Sequence, residues 1–211
     1  MPTPPRFGYT SAADTCGFGR VRHLTQALPR ITSDRTMFEA FARRSAELHR
    51  QRVHDLGERG HALPGAAAAL AALADTNGVV QSVVTGNIRA VAEIKLQVFG
   101  LDTHIWFPYG GYGEDHDDRA ELVRTAIDRT RAATGADVAL ADGLLIGDTP
   151  ADVAAGRAAG VPVLAVATGR TSAAELADAG ATATVRDLQE ASPLFHAMLL
   201  GLPPEAGGIG P

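Results

Sequence analysis

The stretch Leu144–Asp152, which reads LLIGDTPAD, decides the fold more than any other part of the chain. Its three consecutive large apolar residues are typical of a strand that is buried on both faces of a parallel sheet. Gly147 ends that strand, and Pro150 is favoured at the first position of a helix. The stretch therefore predicts a strand, a tight turn and a helix, with Asp148 and Asp152 at the carboxyl edge of the sheet.

Short apolar runs alternate with amphipathic segments through most of the chain. Strands are predicted at 79–84, 105–109, 144–146, 163–166 and 183–185, and helices at 33–56, 66–75, 88–99, 118–133, 150–159, 172–179 and 193–200. Because parallel neighbours need helical crossovers, this order predicts an α/β fold with a doubly wound, Rossmann-like parallel sheet. Residues 1–30 follow neither the strand period nor the helix period, so they are predicted to be an irregular lead-in.

The composition narrows the class of protein. The 211 residues are 45% hydrophobic and 20% charged, with a net charge of -5, which is typical of a soluble globular protein without a general basic surface for nucleic acid or anionic membranes. Cys16 is the only cysteine, which excludes an internal disulfide and favours the cytoplasm. The chain has neither a membrane-spanning apolar run nor a signal-peptide pattern.

Two carboxylates, Asp148 and Asp152, lie four residues apart at the start of the predicted helix. A carboxylate at a helix N-terminus can serve only to cap the helix, and that interpretation stays open for one of the two. Paired carboxylates at the carboxyl edge of a sheet also suit Mg²⁺, which prefers hard oxygen ligands. The pair is therefore a candidate magnesium site.

A second candidate motif, Thr85-Gly86-Asn87, ends another apolar strand just before a helix. Such a turn can offer a hydroxyl and backbone N–H groups to a phosphate oxygen. The alternative is that Thr85 or Asn87 is only the N-cap of the following helix.

Together the two motifs resemble those of the haloacid dehalogenase superfamily of phosphohydrolases, in its phosphoglycolate-phosphatase-like branch. The resemblance covers about residues 31–190 and implies a helical cap remnant at 31–62 and an α/β core at 63–211. It implies that Thr85 bonds the phosphoryl group of a small phosphorylated metabolite, with Gly86 and Asn87 beside it. Asp148 and Asp152 would hold Mg²⁺.

The resemblance also implies a cation that neutralises charge at the site, and the sequence offers two candidates. Lys95, the only lysine, lies about two helical turns beyond Asn87, which places it roughly 12 Å from the catalytic edge. Arg119 follows a loop at the carboxyl edge of the predicted sheet, and a guanidinium can bind two phosphate oxygens at once. Arg119 is therefore the better candidate, the alternative being a surface ion pair with Glu121 or a nearby Asp.

The acidic run at residues 115–118 also contains His116, so it could suggest a second metal cluster. Its composition favours a solvated acidic loop instead. The seven histidines show no paired spacing on one helix face, so no zinc site is predicted.

One expected motif is missing. In this superfamily the first strand is central and ends in Asp-x-Asp, whose first Asp attacks phosphorus and whose second is the general acid and base. Residues 1–32 do not match, because Asp14 has no apolar strand before it and no second Asp at the needed offset. The sheet is therefore expected to lack its first central strand, so that the strands ending at Thr85 and Gly147 pair with each other or another segment fills the gap. A missing strand would also favour association into a homodimer.

Three hypotheses follow for function. The chain is a truncated or mis-started magnesium-dependent phosphatase of small phosphate monoesters, whose upstream segment supplies Asp-x-Asp. Alternatively, it is a catalytically dead relative that binds phosphate or Mg²⁺, or it is an enzyme in which Asp148 and Asp152 hold a metal-activated water as the nucleophile.

Overall fold

A parallel sheet organises the residues that this computed structural model describes, which are 6–11 and 35–199. Its order is β3-β2-β1-β4-β5-β6, and every neighbouring pair is parallel. The strands are β1 Arg6–Ser11, β2 Val79–Thr85, β3 Gly111–Tyr112, β4 Gly143–Gly147, β5 Val163–Val166 and β6 Ala183–Val185. The predicted doubly wound, Rossmann-like α/β fold is confirmed.

Helices cover both faces of the sheet. The α-helices are α1 Arg35–Gln51, α2 Val53–Arg59, α3 Ala66–Ala74, α4 Arg89–Val98, α5 Arg119–Thr134, α6 Pro150–Ala159, α7 Ala173–Asp178 and α8 Leu188–Leu199. One apolar core joins one face of the sheet to α3, α4 and α8, and a second core joins the opposite face to α5, α6 and α7. Burial on both faces explains why β4 reads as a continuous apolar run.

The expectation that the first central strand is missing is wrong. Strand β1 lies between β2 and β4 and pairs with both of them. In its sequence, RFGYTS, Gly8 separates the two aromatic residues, and the last two residues carry hydroxyl groups. The strand therefore lacks the continuous apolar run that is typical of a central strand. Six residues of the predicted irregular lead-in thus form a strand, and the gap that would have favoured a homodimer is filled. The rest of that lead-in lies outside the described residues.

Two other elements differ from the prediction. The segment predicted as a strand at 105–109 contains a 3₁₀ turn at Phe107–Tyr109, and the strand itself is Gly111–Tyr112. Pro108 has no N–H to donate to a neighbouring strand, which limits pairing in that segment. Helix α8 begins at Leu188, before the predicted start, because the Asp187 carboxylate accepts hydrogen bonds from the backbone N–H groups of Gln189 and Glu190.

The cap boundary at residues 31–62 stays a prediction. Helices α1 and α2 occupy most of that range, and both contact α4. Across the described parts of the chain, no helix combines the length and apolar character needed to cross a membrane.

Candidate functional site

The carboxyl ends of β2 and β4 lie level with each other on either side of β1. Val84 pairs with Ser11, and Ile146 pairs with Thr10. Counting one residue further along β4 brings Gly147 level with Val84, and the next step brings Asp148 level with Thr85. Since adjacent strands are about 4.8 Å apart, the two strand ends are separated by roughly 10 Å across β1. The topology therefore brings the two predicted motifs to one edge of the sheet.

Asp152 is held at the start of α6 by a reciprocal capping box. The Thr149 hydroxyl accepts from the Asp152 backbone N–H at 3.2 Å, and Asp152 Oδ2 accepts from the Thr149 hydroxyl at 2.7 Å and from its N–H at 3.2 Å. The capping interpretation is thus confirmed for Asp152. Thr149 is not among the predicted site residues, although a threonine three residues before an acidic residue at a helix start is the signature of this motif.

The second oxygen of Asp152 faces Arg119. The Arg119 guanidinium lies 3.3 Å from Asp152 Oδ1, which is buried and has no hydrogen-bond partner, and the Asp152 side chain is 1% exposed. The alternative partner, Glu121, pairs with Arg124 instead. Arg119 therefore belongs to the same edge of the sheet as the two aspartates, as its position in the sequence suggested.

Asp148 is the more accessible of the two carboxylates. It is partly exposed, and a Cβ placed on Gly169 would lie 2.9 Å from its Oδ2, so the loop after β5 passes close to it. A Cβ placed on Gly147 would lie 2.5 Å from the Cβ of Asp152. Gly147 is thus required for β4 to turn tightly into α6, and this turn presents Asp148 at the strand end.

Thr85 is the last residue of β2 and is fully buried, with 0% of the residue exposed. Its hydroxyl oxygen accepts from the Asn87 backbone N–H at 3.1 Å and from Asn87 Nδ2 at 2.8 Å. The N-cap of α4 is Ile88, and no side chain caps the helix. The alternative that Thr85 or Asn87 is only an N-cap is therefore wrong, because the two side chains bond each other.

Lys95 reaches this turn, contrary to the distance expected from its position in the sequence. Its Nζ donates to Asn87 Oδ1 at 3.1 Å. Helical rise gives the position of the Lys95 backbone, but its long side chain points back toward the N-terminus of the helix. Both candidate cations thus lie near the edge, Lys95 at Asn87 and Arg119 at Asp152.

The loop before α5 packs directly on the Thr85 turn. Gly113 N–H donates to Asn87 O at 3.0 Å, and a Cβ on Gly113 would lie 2.1 Å from Gly86 O. Glu114 accepts from the Arg89 backbone N–H at 2.7 Å, and burial raises the pKa of its carboxyl group. These contacts tie the loop that leads to Arg119 to the turn that carries Thr85.

The interpretation of residues 115–118 as a solvated acidic loop is wrong for Asp115. Its carboxylate makes two short bonds to Arg129, at 2.6 and 2.7 Å, and its side chain is 16% exposed. It also accepts from the Tyr112 N–H at 2.9 Å, and its bond to Arg129 raises the pKa of that guanidinium. Asp115 therefore fixes the loop.

Among the residues that the structure describes, no group of three His, Cys, Asp or Glu is placed to hold a metal ion.

Comparisons with known proteins identify the family of the chain. The family model described as HAD, haloacid dehalogenase-like hydrolase, matches residues 7–157, a range that includes most of β1. A curated phosphoglycolate phosphatase, plasmid, from Cupriavidus necator strain H16 is 32% identical over 170 residues, covering 81% of this chain and 68% of that protein.

Solved structures support the fold. A predicted phosphatase from Clostridium acetobutylicum superposes with a TM-score of 0.63 at 16% identity, covering 92% of this chain and 99% of that one. A HAD family hydrolase from Deinococcus radiodurans R1, with bound phosphate and sodium, gives a TM-score of 0.55 at 17% identity, covering 92% and 97%. With the family model matching well over half of its length, the chain belongs to the haloacid dehalogenase-like hydrolase family.

Proposed function

We propose that this protein binds a small phosphate monoester, together with Mg²⁺, at the carboxyl ends of β1, β2 and β4, and that it does not turn the ester over through an aspartyl-phosphate. The observation that carries the proposal is the position of β1. It fills the central strand of the sheet between Thr85 and Asp148, yet none of its six residues is an aspartate.

Two side chains of this protein, Thr85 and Arg119, would bind the phosphoryl group. The Thr85 hydroxyl would donate to a phosphoryl oxygen at the carboxyl end of β2, and backbone N–H groups of the turn after β2 could add to the binding. The Arg119 guanidinium, which is 29% exposed at its side chain, would contact the same dianion from the α5 side while keeping its pair with Asp152. Each of these groups is a donor or a cation, as a phosphate requires.

The donor set fits Mg²⁺, which the family implies. Mg²⁺ is usually bound through one or two carboxylates, with substrate phosphate oxygens and waters completing its shell. Asp148 offers a partly exposed carboxylate, and Asp152 offers a buried Oδ1 that has no hydrogen-bond partner. When bound there, the ion would neutralise phosphate charge. Asp148 would be the principal ligand, because Thr149 and Arg119 already engage Asp152.

The missing nucleophile supports binding without turnover. Within residues 1–33 Asp14 is the only acidic residue, and the residue two positions before it is Ala12. An additional Asp-x-Asp strand supplied from elsewhere would have to displace β1, which pairs at six positions with β2 and at four with β4. These pairings favour the catalytically dead hypothesis over the truncated phosphatase.

A second candidate function is hydrolysis of phosphoglycolate with a different nucleophile. The 32% identity to a curated phosphoglycolate phosphatase favours this ligand as the first monoester to examine. It also makes turnover the activity to measure beside binding.

Calorimetric titration with inorganic phosphate in the presence of Mg²⁺ tests the proposal. We expect saturable binding to the wild type and at least tenfold weaker binding to Thr85→Val, since a hydrogen bond to a charged group contributes roughly 1.5 to 3 kcal/mol. Thr134→Val is the matched control, because the Thr134 hydroxyl bonds Thr130 O and Ala136 N at the opposite end of α5 from Arg119. Equal affinities of wild type and Thr85→Val would contradict the assigned site.

A further inference from the structure

A chain of hydrogen bonds runs from Lys95 through Asn87 to Thr85. Lys95 Nζ donates to Asn87 Oδ1 at 3.1 Å, and Asn87 Nδ2 donates to Thr85 Oγ1 at 2.8 Å. The Asn87 backbone N–H donates to the same oxygen at 3.1 Å. Lys95 lies in the second half of α4, so the chain connects that part of the helix to the floor of the site.

These hydrogen bonds determine whether the Thr85 hydroxyl donates or accepts toward a ligand. A hydroxyl group has one hydrogen to donate and two lone pairs that accept. Both acceptor positions of Thr85 Oγ1 are taken by donors of Asn87. The remaining hydrogen must therefore point away from Asn87, where it can be given to an acceptor such as a phosphoryl oxygen.

Lys95 decides the orientation of the Asn87 amide. An asparagine amide can rotate by half a turn and exchange its oxygen with its nitrogen, which would replace the donor facing Thr85 with an acceptor. A lysine ammonium carries three donors and no acceptor, so it can bond only the Oδ1 side of the amide. With Lys95 in place, the rotated amide would set donor against donor, and Nδ2 is kept on Thr85.

We infer that Lys95 is a positioning residue, which acts through Asn87 to hold the Thr85 hydroxyl as a hydrogen-bond donor for a bound phosphoryl group. This inference rests on the proposed function and assigns to Lys95 a role separate from that of Arg119, which stands at Asp152. Lys95 contributes by fixing the direction of a neighbouring hydroxyl, and its charge need not contact the anion.

The test compares phosphate affinity, measured by calorimetry with inorganic phosphate and Mg²⁺, among wild type, Lys95→Met, Lys95→Arg, Asn87→Ala and the Asn87→Ala/Lys95→Met double variant. We expect about tenfold weaker binding to Lys95→Met, since one directed hydrogen bond is lost at the anion. Lys95→Arg keeps a cationic donor and should stay within about threefold of wild type. Arg186→Met is the charge control, because that exposed side chain pairs with Glu190 at the start of α8.

The double variant separates positioning from direct attraction. If Lys95 acts through Asn87, removing both residues weakens binding no more than Asn87→Ala alone, within about twofold. If the ammonium attracts the anion directly, the two losses multiply, and the inference is overturned.

A spectroscopic readout on the ligand-free protein completes the test. In ¹⁵N spectra, the Asn87 side-chain amide of the wild type should give one sharp hydrogen-bonded pair, and that of Lys95→Met should broaden or shift as the amide rotates. An amide signal that Lys95→Met leaves unchanged would overturn the inference even if affinity falls. A wild type that binds no phosphate would contradict the proposed function itself, whereas wild-type binding with an unaltered Lys95→Met would contradict only the role of Lys95.

Discussion

At the scale of single residues, the two aspartates after β4 have different environments despite their similar positions in the sequence. Asp152 is buried, with its Oδ2 bonded to Thr149 and its Oδ1 paired with Arg119 at 3.3 Å, whereas Asp148 is partly exposed at the strand end. The sequence could identify both carboxylates and their edge of the sheet. It could not assign Asp152 to Arg119, because that contact joins the starts of two helices far apart in the chain.

Replacing Asp152 with Asn should therefore destabilise the fold. Asn keeps the shape of the carboxylate but removes the charge that pairs with Arg119 and weakens the capping box, at a cost of about 1 to 3 kcal/mol in the free energy of unfolding. Urea denaturation measures this loss. Glu121→Gln, which breaks a more exposed pair with Arg124, should change stability by less than about 0.7 kcal/mol. Equal losses of stability in the two variants would contradict the larger contribution that is expected of Asp152.

Glu114 should make stability depend on pH. Burial raises its pKa above the ordinary value of 4.5, so the folded state holds this proton more tightly than the unfolded state does. Its contribution to stability is fully present below the ordinary value and is lost as the pH rises through the folded-state pKa. Glu114→Gln still accepts a bond from Arg89 N–H and does not ionise. The stability of this variant relative to wild type, from urea denaturation at pH 4 to 7, should rise with pH, and a constant difference would contradict the assignment.

At the scale of elements, the turn after β2 and the loop before α5 form one unit. Gly113→Ala should break it, because the added Cβ would lie 2.1 Å from Gly86 O, and a loss of at least about 2 kcal/mol in the free energy of unfolding is expected. Gly86→Ala is the matched control for stability, since a Cβ there meets nothing within 4 Å. If thermal denaturation shows Gly113→Ala to be as stable as Gly86→Ala, the two loops do not pack as described.

At the scale of the whole molecule, the sheet order depends on β1, a strand that the apolar pattern of the sequence does not predict. Periodicity predicted β2, β4, β5 and β6 because their apolar runs are continuous or lie between clear turns. Strand β1 has no such run, because Gly8 and its polar end weaken the apolar pattern, and its central place follows from its pairing with β2 and β4. The place of Lys95 does not follow from the sequence either, since helical rise gives the position of a backbone and not the reach of a side chain.

The central place of β1 predicts the effect of proline. Tyr9 lies opposite both Ser82 and Leu145, so Tyr9→Pro must remove a backbone hydrogen bond of the sheet. We expect a loss of about 3 kcal/mol or more, or failure to fold. Ala173→Pro is the control, because Ala173 is the first residue of α7 and Ser172 before it is extended, with φ -71° and ψ 159°. A Tyr9→Pro variant as stable as Ala173→Pro in urea would contradict the sheet order.

The most direct test of binding without turnover is a titration of the wild type with phosphoglycolate and Mg²⁺, in which bound ligand and released inorganic phosphate are measured in the same sample. We predict saturable binding, with phosphate released no faster than in buffer alone, because the central strand carries no aspartate to attack phosphorus. Sustained release that is abolished in Asp148→Asn would contradict this prediction and identify the protein as an enzyme with a different nucleophile. Absence of binding would contradict the site itself.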